Sequence, residues 1–121
     1  EAVYKTLLCQ SDKHVPCFAV VPAGRELCLK TLARAHAARS VTLVPEKELR
    51  NLTGYVRGGV TVLGAKKPFA VFVDRLCLSL DTMSVSAGVR GTQILLRPID
   101  YLKVTSATPV TDLSRPVSSP A

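Results

Sequence analysis

The chain has 121 residues, 47% of them hydrophobic, and 16 Lys and Arg against 9 Asp and Glu give a formal charge of +7. That length fits one domain able to bury roughly two-thirds of the surface of its unfolded chain, and that apolar content excludes a disordered protein. No apolar run approaches the roughly 20 residues that span a bilayer, and the N-terminus lacks the basic-then-apolar order of a signal peptide, so the sequence reads as soluble, intracellular and without membrane contact. The charge favours an anionic partner, although the basic residues are spread from Lys5 to Arg115 rather than clustered.

In chain order, Val3 to Cys9 and Pro16 to Val21 predict two strands joined by a polar turn at Gln10-Ser11-Asp12-Lys13, hence a hairpin. From Glu26 to Ala38 the apolar period changes to three and four residues, through Leu27, Leu29, Leu32, Ala33 and Ala35, which predicts a helix with Arg34 and Arg39 near its C-terminal end. Val41 to Val44 reads as a short strand. Pro45-Glu46-Lys47-Glu48 opens a second helix, with proline early and acids in the first turn, that ends at Thr53-Gly54. Phe69 to Val73 is an unbroken β-prone run, expected in the centre of a sheet and closed by a turn that Asp74 caps. Asp81 to Ser86 and Gln93 to Arg97 predict two further strands, and Pro98 starts a short helix. From Ser106 periodicity is lost, and the Pro- and Ser-rich stretch to Ala121 reads as a tail or linker after a domain spanning 1–105.

The segment Thr53 to Gly64 holds four glycines within twelve residues. Such density is wasteful inside a packed element, but it suits a loop that needs positive φ or the close approach of a ligand. Gly88-Val89-Arg90-Gly91 repeats the chemistry, and glycine loops carrying Arg57 and Arg90 suit a phosphate-bearing ligand. Arg57, Lys66, Lys67 and Arg90 flank these loops and are the expected phosphate contacts. Cys9, Cys17, Cys28 and Cys77 have no Cys-x-x-Cys spacing and lie among apolar neighbours, so they read as reduced core residues. With His14 in a polar turn and His36 near a helix end, neither a metal site nor a nucleophilic triad is expected.

Several ordered segments resemble one family. They are Val3-Tyr4-Lys5-Thr6-Leu7-Leu8, Ala19-Val20-Val21-Pro22-Ala23, Glu26-Leu27-x-Leu29-Lys30, Thr53-Gly54-Tyr55-x-x-Gly58-Gly59, Leu63-Gly64-x-Lys66-Lys67 and Ser86-Ala87-Gly88-x-Arg90-Gly91. Together they resemble the YbaK/EbsC family of aminoacyl-tRNA deacylases, which includes editing domains associated with prolyl-tRNA synthetase. The resemblance implies an α/β (α+β) fold in which a mixed, partly closed β-sheet is flanked by helices. It also implies a cytoplasmic enzyme that hydrolyses the ester of mischarged tRNA without cofactor or metal, with tRNA and prolyl-tRNA synthetase as partners.

Residue by residue, the resemblance places the family lysine on Lys5, where its ammonium would pair with a phosphate or the terminal ribose of the tRNA. Gly58 and Gly59 would offer backbone amides to the ester carbonyl, and Thr61, Val62, Ser86, Gly88 and Gln93 would line the substrate pocket. Two positions depart from the pattern: Val62 stands where relatives have proline, and Gln93 where the deacylase form commonly has aspartate. Relatives also carry a longer segment ahead of the Tyr-Lys motif, which points to a piece of a longer protein. The expected substrate is Cys-tRNA(Pro) or Ala-tRNA(Pro), with the domain free-standing or fused to the synthetase. A non-catalytic tRNA-binding module of a synthetase or translation factor stays open beside it. A generic nucleotide-binding domain is disfavoured, because no strand runs through Gly-x-Gly-x-x-Gly into a helix.

Overall fold

The computed structural model describes residues 2–45, 48, 69–88 and 91–117. Its first two strands, β1 (Tyr4–Ser11) and β2 (Pro16–Pro22), pair antiparallel from Tyr4 opposite Pro22 to Gln10 opposite Pro16. The expected hairpin is therefore present. Ser11 builds its turn, accepting from the backbone amides of Lys13 at 3.2 Å and Val15 at 3.1 Å while His14 takes φ 59°.

β2 continues into the two-residue turn at Ala23-Gly24 and the short strand β3 (Arg25–Leu27), followed by helix α1 (Leu29–Ala35) and strand β4 (Val41–Leu43). After these come β5 (Ala70–Asp74), a 3-10 helix at Arg75–Ser79, β6 (Met83–Ser86), β7 (Gln93–Leu96), helix α2 (Pro98–Thr105), β8 (Thr108–Val110) and β9 (Ser114–Pro116). Five strands form a mixed sheet in the order β4-β1-β2-β5-β8, with β2 and β5 parallel, while β3 pairs with β9 and β6 with β7 as separate ribbons.

The apolar runs of β2 and β5 reflect burial of both sheet faces, since alternate side chains point to opposite sides. On one face Tyr4, Leu8, Phe18, Val20, Val71 and Val73 pack with Met83 and Val85 of β6 and Tyr101 of α2. On the other, Cys9, Cys17, Ala19, Val21 and Phe72 pack with Leu32 and Ala33 of α1 and with Leu113. The fold is thus α+β, a mixed sheet with a helix on each face, as the family resemblance implies.

Three expectations need correction. The helix predicted over Glu26–Ala38 begins only at Leu29, because Arg25–Leu27 pairs instead with Ser114–Pro116, reinforced by an Arg115–Glu26 ion pair at 2.7 Å. The stretch after Ser106 is not all tail: Thr108–Val110 extends the main sheet, Leu113 is fully buried, and Ser114–Pro116 closes the β3 ribbon. Cys9, Cys17 and Cys77 are buried as expected, but Cys28 is half-exposed at the N-terminal cap of α1. The second predicted helix, apart from Pro45 and Glu48, and the glycine segment Thr53–Gly64 lie outside the described residues.

Candidate active site

A parallel bridge between Val3 and Ser84 joins the start of β1 to β6, and the Ser84 amide donates to the Ala2 carbonyl at 2.7 Å. Lys5 follows Val3 by two residues along β1, as Ser86 follows Ser84 along β6. Lys5 alternates with Tyr4 on its strand, and Ser84 and Ser86 with Met83 and Val85 on theirs, so all three turn away from the first apolar core. Lys5 is half-buried, and no carboxylate among the described residues forms an ion pair with it.

Ser86 lies opposite Gln93 in the β6–β7 ribbon, and both serines are buried. Ser84 Oγ donates to Gln93 Oε1 at 2.9 Å, which fixes the side-chain amide and leaves its NH2 as a neutral donor. An aspartate at this position would put a negative charge where Gln93 has a neutral amide. Ser86 Oγ accepts the Gly88 amide at 3.2 Å, and the Ala87 amide donates to the Thr92 carbonyl at 2.9 Å. Gly88 at φ 94° and Gly91 at φ 85° occupy the left-handed region, which explains glycine on both sides of this turn.

The structure therefore brings together four of the expected site residues, Lys5, Ser86, Gly88 and Gln93. Arg57, Gly58, Gly59, Thr61, Val62, Lys66, Lys67 and Arg90 lie outside the described residues. Ser84 was missed by the sequence reading. Its signal was the polar-apolar alternation of Met83-Ser84-Val85-Ser86, which puts two serines on one buried side of a strand.

No alternative nucleophile emerges from the cysteines of the core. Burial pushes the Cys9 thiol up to about 12, helped by neighbouring Cys17, and burial likewise pushes Cys17 up to about 11. Cys77 is pushed up to about 11 by burial first and by Asp74 second. Only Cys28 is lowered, chiefly by the Thr31 hydroxyl that donates to its sulfur at 3.1 Å. Among the described residues, no group of three or more His, Cys, Asp and Glu could hold a metal ion, and no helix is long and apolar enough to cross a membrane.

A second polar cluster has a structural character. Asp74, buried at the end of β5, accepts from the Ser114 hydroxyl with one oxygen and from the Leu76 amide at 3.0 Å with the other. Arg25 adds bonds to Ser114 Oγ at 2.8 Å and to the Ser114 carbonyl at 3.0 Å. These groups floor an open cleft of about 440 Å3 and tie β9 to the sheet.

The sequence and the fold match known proteins. The aminoacyl-tRNA editing domain model matches residues 1–104, and the chain belongs to that family. A protein of Enterococcus faecalis, provisionally named the Cys-tRNA(Pro)/Cys-tRNA(Cys) deacylase EbsC, is 38% identical over 104 residues, which are 86% of this chain. The chain spans 63% of the length of that relative. Among solved structures, the hypothetical protein APE2540 superposes with a TM-score of 0.85 at 24% identity, covering 94% of this chain and 75% of its own. A protein provisionally named a trans-editing enzyme for prolyl-tRNA synthetase gives 0.78 at 21% identity, covering 90% and 69%. At those identities the two structures speak to the fold alone.

Proposed function

We propose that the chain is an editing hydrolase that deacylates mischarged tRNA, with Cys-tRNA(Pro) or Ala-tRNA(Pro) as substrate, acting free-standing or fused to prolyl-tRNA synthetase in the cytoplasm. The observation that carries this reading is Lys5, a half-buried residue without an ion-pair partner among the described residues, two residues along β1 from the bridge that joins Val3 to Ser84, whose hydroxyl bonds Gln93. A cation so placed suits a phosphate or the terminal ribose of a tRNA end. The name of the Enterococcus faecalis relative supports the choice of cysteine as the removed amino acid.

In the reaction, a water oxygen bonds to the ester carbonyl carbon, the bond from that carbon to the ribose oxygen breaks, and the ribose oxygen leaves as a hydroxyl carrying a proton. When the amino acid is cysteine, its own thiol sulfur can take the place of the water. The protein contributes position rather than a base: Lys5 holds the tRNA end, and Gly58 and Gly59 supply amides to the developing oxyanion. A pocket closed around a small side chain excludes bulkier residues, the logic of a second sieve.

The test is deacylation of Cys-tRNA(Pro), Ala-tRNA(Pro) and Pro-tRNA(Pro) by the longest natural form and by Lys5→Ala. Loss of one mischarged species, with kcat/KM lowered on the order of 100-fold in the variant, is expected, about 3 kcal/mol of transition-state stabilisation. The Gln93 amide favours a second reading, a non-catalytic tRNA-binding module, because it replaces the carboxylate of the deacylase pattern. No hydrolysis of any species, with RNA binding intact, would establish that module.

A further inference from the structure

The face of the sheet that carries Lys5 also carries α1, and α1 presents basic residues to solvent. Lys30 and Arg34 are exposed one turn apart on the side away from buried Leu32 and Ala33. Exposed Arg39 follows the helix, and exposed Lys13 stands across a cleft of about 480 Å3 at the hairpin tip. The cleft is held together by His36 Nε2 at 3.1 Å from the Val15 carbonyl and by the Asp12 amide donating to the Ser40 carbonyl at 3.0 Å.

This row has a direction. β3 leaves the end of β2 that is level with Lys5, and α1 then returns to Val15 at the opposite end, where β2 begins. Along β1, Lys5 and Ser11 are six residues apart, about 20 Å at the rise of a strand. Lys30, Arg34, Arg39 and Lys13 therefore lead away from the candidate site toward the hairpin tip. Among the described residues none of the four is in an ion pair; Asp12 is the one carboxylate at the tip, and Glu26 is already held by Arg115 at 2.7 Å. Four cations in sequence without counter-charges suit a chain of phosphates better than an acidic side chain or a single anion.

We infer that Lys30, Arg34, Arg39 and Lys13 form a track for the RNA backbone, on which the acceptor stem lies while its 3′ end reaches Lys5. The assignment of the aminoacylated end rests on the editing reading, but the track itself is a statement about RNA binding. It involves residues distinct from those flanking the glycine loops.

The experiment titrates an uncharged acceptor-stem RNA hairpin ending in CCA, labelled for fluorescence anisotropy, at several salt concentrations. Wild type is compared with Lys30→Gln, Arg34→Gln, Arg39→Gln and, as control, Lys103→Gln on α2 at the other face. Each of the first three should weaken binding and lower the log–log salt slope by about 1, and the control should do neither. Slopes equal to wild type in all three, or an equal loss in Lys103→Gln, overturn the track. Hydrolysis of an aminoacyl ester of adenosine, which has no stem, is measured alongside. Unchanged hydrolysis of that ester with weakened hairpin binding supports the track. Weakened hairpin binding in a protein that hydrolyses neither ester nor tRNA keeps the track and removes the editing reading.

Discussion

The two faces of the five-stranded sheet are built to different ends. The face covered by α2 and β6 is sealed with Phe18, Val20, Val73, Met83, Val85 and Tyr101, each almost wholly buried. Its polar side chains, Thr6 and Tyr101, have hydroxyls close enough to interact, yet neither makes a well-formed hydrogen bond among the described residues. The face covered by α1 and the β3–β9 ribbon mixes apolar packing with Lys5, Asp74 and Ser114, and the buried Asp74 and Ser114 oxygens there are hydrogen-bonded. Apolar packing is concentrated on the first face and polar and charged groups on the second, because a cation and a hydrogen-bonded carboxylate need a side that solvent can reach or partners that satisfy them.

The strongest way to break this comparison is Tyr101→Ala, which should cost about 3–5 kcal/mol in urea denaturation, since it empties a fully buried aromatic site. Tyr101→Phe should stay within about 1 kcal/mol of wild type, because the hydroxyl it removes has no well-formed bond to lose. A large loss in the phenylalanine variant would mean that this face relies on a polar contact after all.

On the second face, Asp74→Ala should cost about 2–3 kcal/mol by leaving the Ser114 hydroxyl and the Leu76 amide without their acceptor. The loss should be local first: faster amide exchange across the β3–β9 ribbon than in β2. Uniform exchange throughout the sheet would deny Asp74 its role as the anchor of β9.

How far the sequence reveals these features follows from the range of the interactions. β1, β2 and β5 are legible because their alternation or continuous apolar runs record burial directly. Asp74 was recognised as a cap because the signal is local, two residues from the Leu76 amide it accepts. Glu26 and Leu27 misled because Leu27 continues the apolar spacing of α1, while their true partners, Arg115 and Ser114, lie almost ninety residues away. The segment after Ser106 misled for the same reason, as Leu113 is one buried leucine in a polar stretch and its burial depends on contact with α1 and β2. At the candidate site, Lys5, Ser86, Gly88 and Gln93 are named by the order of short motifs. Ser84 is not, because its importance lies in one cross-strand bond to Gln93.

The thiols give a smaller effect, with a definite sign. Cys9, Cys17 and Cys77 are held neutral by burial in the folded chain, up to about 12, 11 and 11, while in the unfolded chain they ionise near the ordinary thiol value of about 8.5. Below that value neither state is ionised and the thiols add no pH dependence. Above it the unfolded chain releases protons that the folded chain keeps, so stability falls with rising pH until the folded values are reached. Each thiol should contribute about 1.4 kcal/mol of loss per pH unit in that window, and Cys17→Ala should flatten the stability–pH curve between pH 9 and 10 by about that amount. An unchanged slope would place the alkaline loss on other groups.

The smallest expected effect compares how the two helices stop. α1 ends with the Ala38 amide donating to the Ala33 carbonyl at 2.9 Å and the Ala37 amide to the Arg34 carbonyl at 3.2 Å, the pattern of a Schellman cap. Its left-handed position, usually glycine, is Ala37 at φ 54°. α2 ends at Ser106, also left-handed at φ 57°, but there the Thr105 hydroxyl donates to the Tyr101 carbonyl at 2.7 Å and accepts the Ala107 amide at 3.2 Å. The first stop carries its backbone cost unaided, and the second is braced by a side chain. Relieving the left-handed alanine returns about 1–2 kcal/mol, and the greater freedom of glycine in the unfolded chain takes back about 0.4–1 kcal/mol. Ala37→Gly should therefore stabilise the protein by about 0.5–1 kcal/mol, a rise in Tm of about 2–4 °C. A lower Tm for Ala37→Gly would mean that the contacts of its methyl group outweigh the strain, and that α1 is held from outside rather than at its own end.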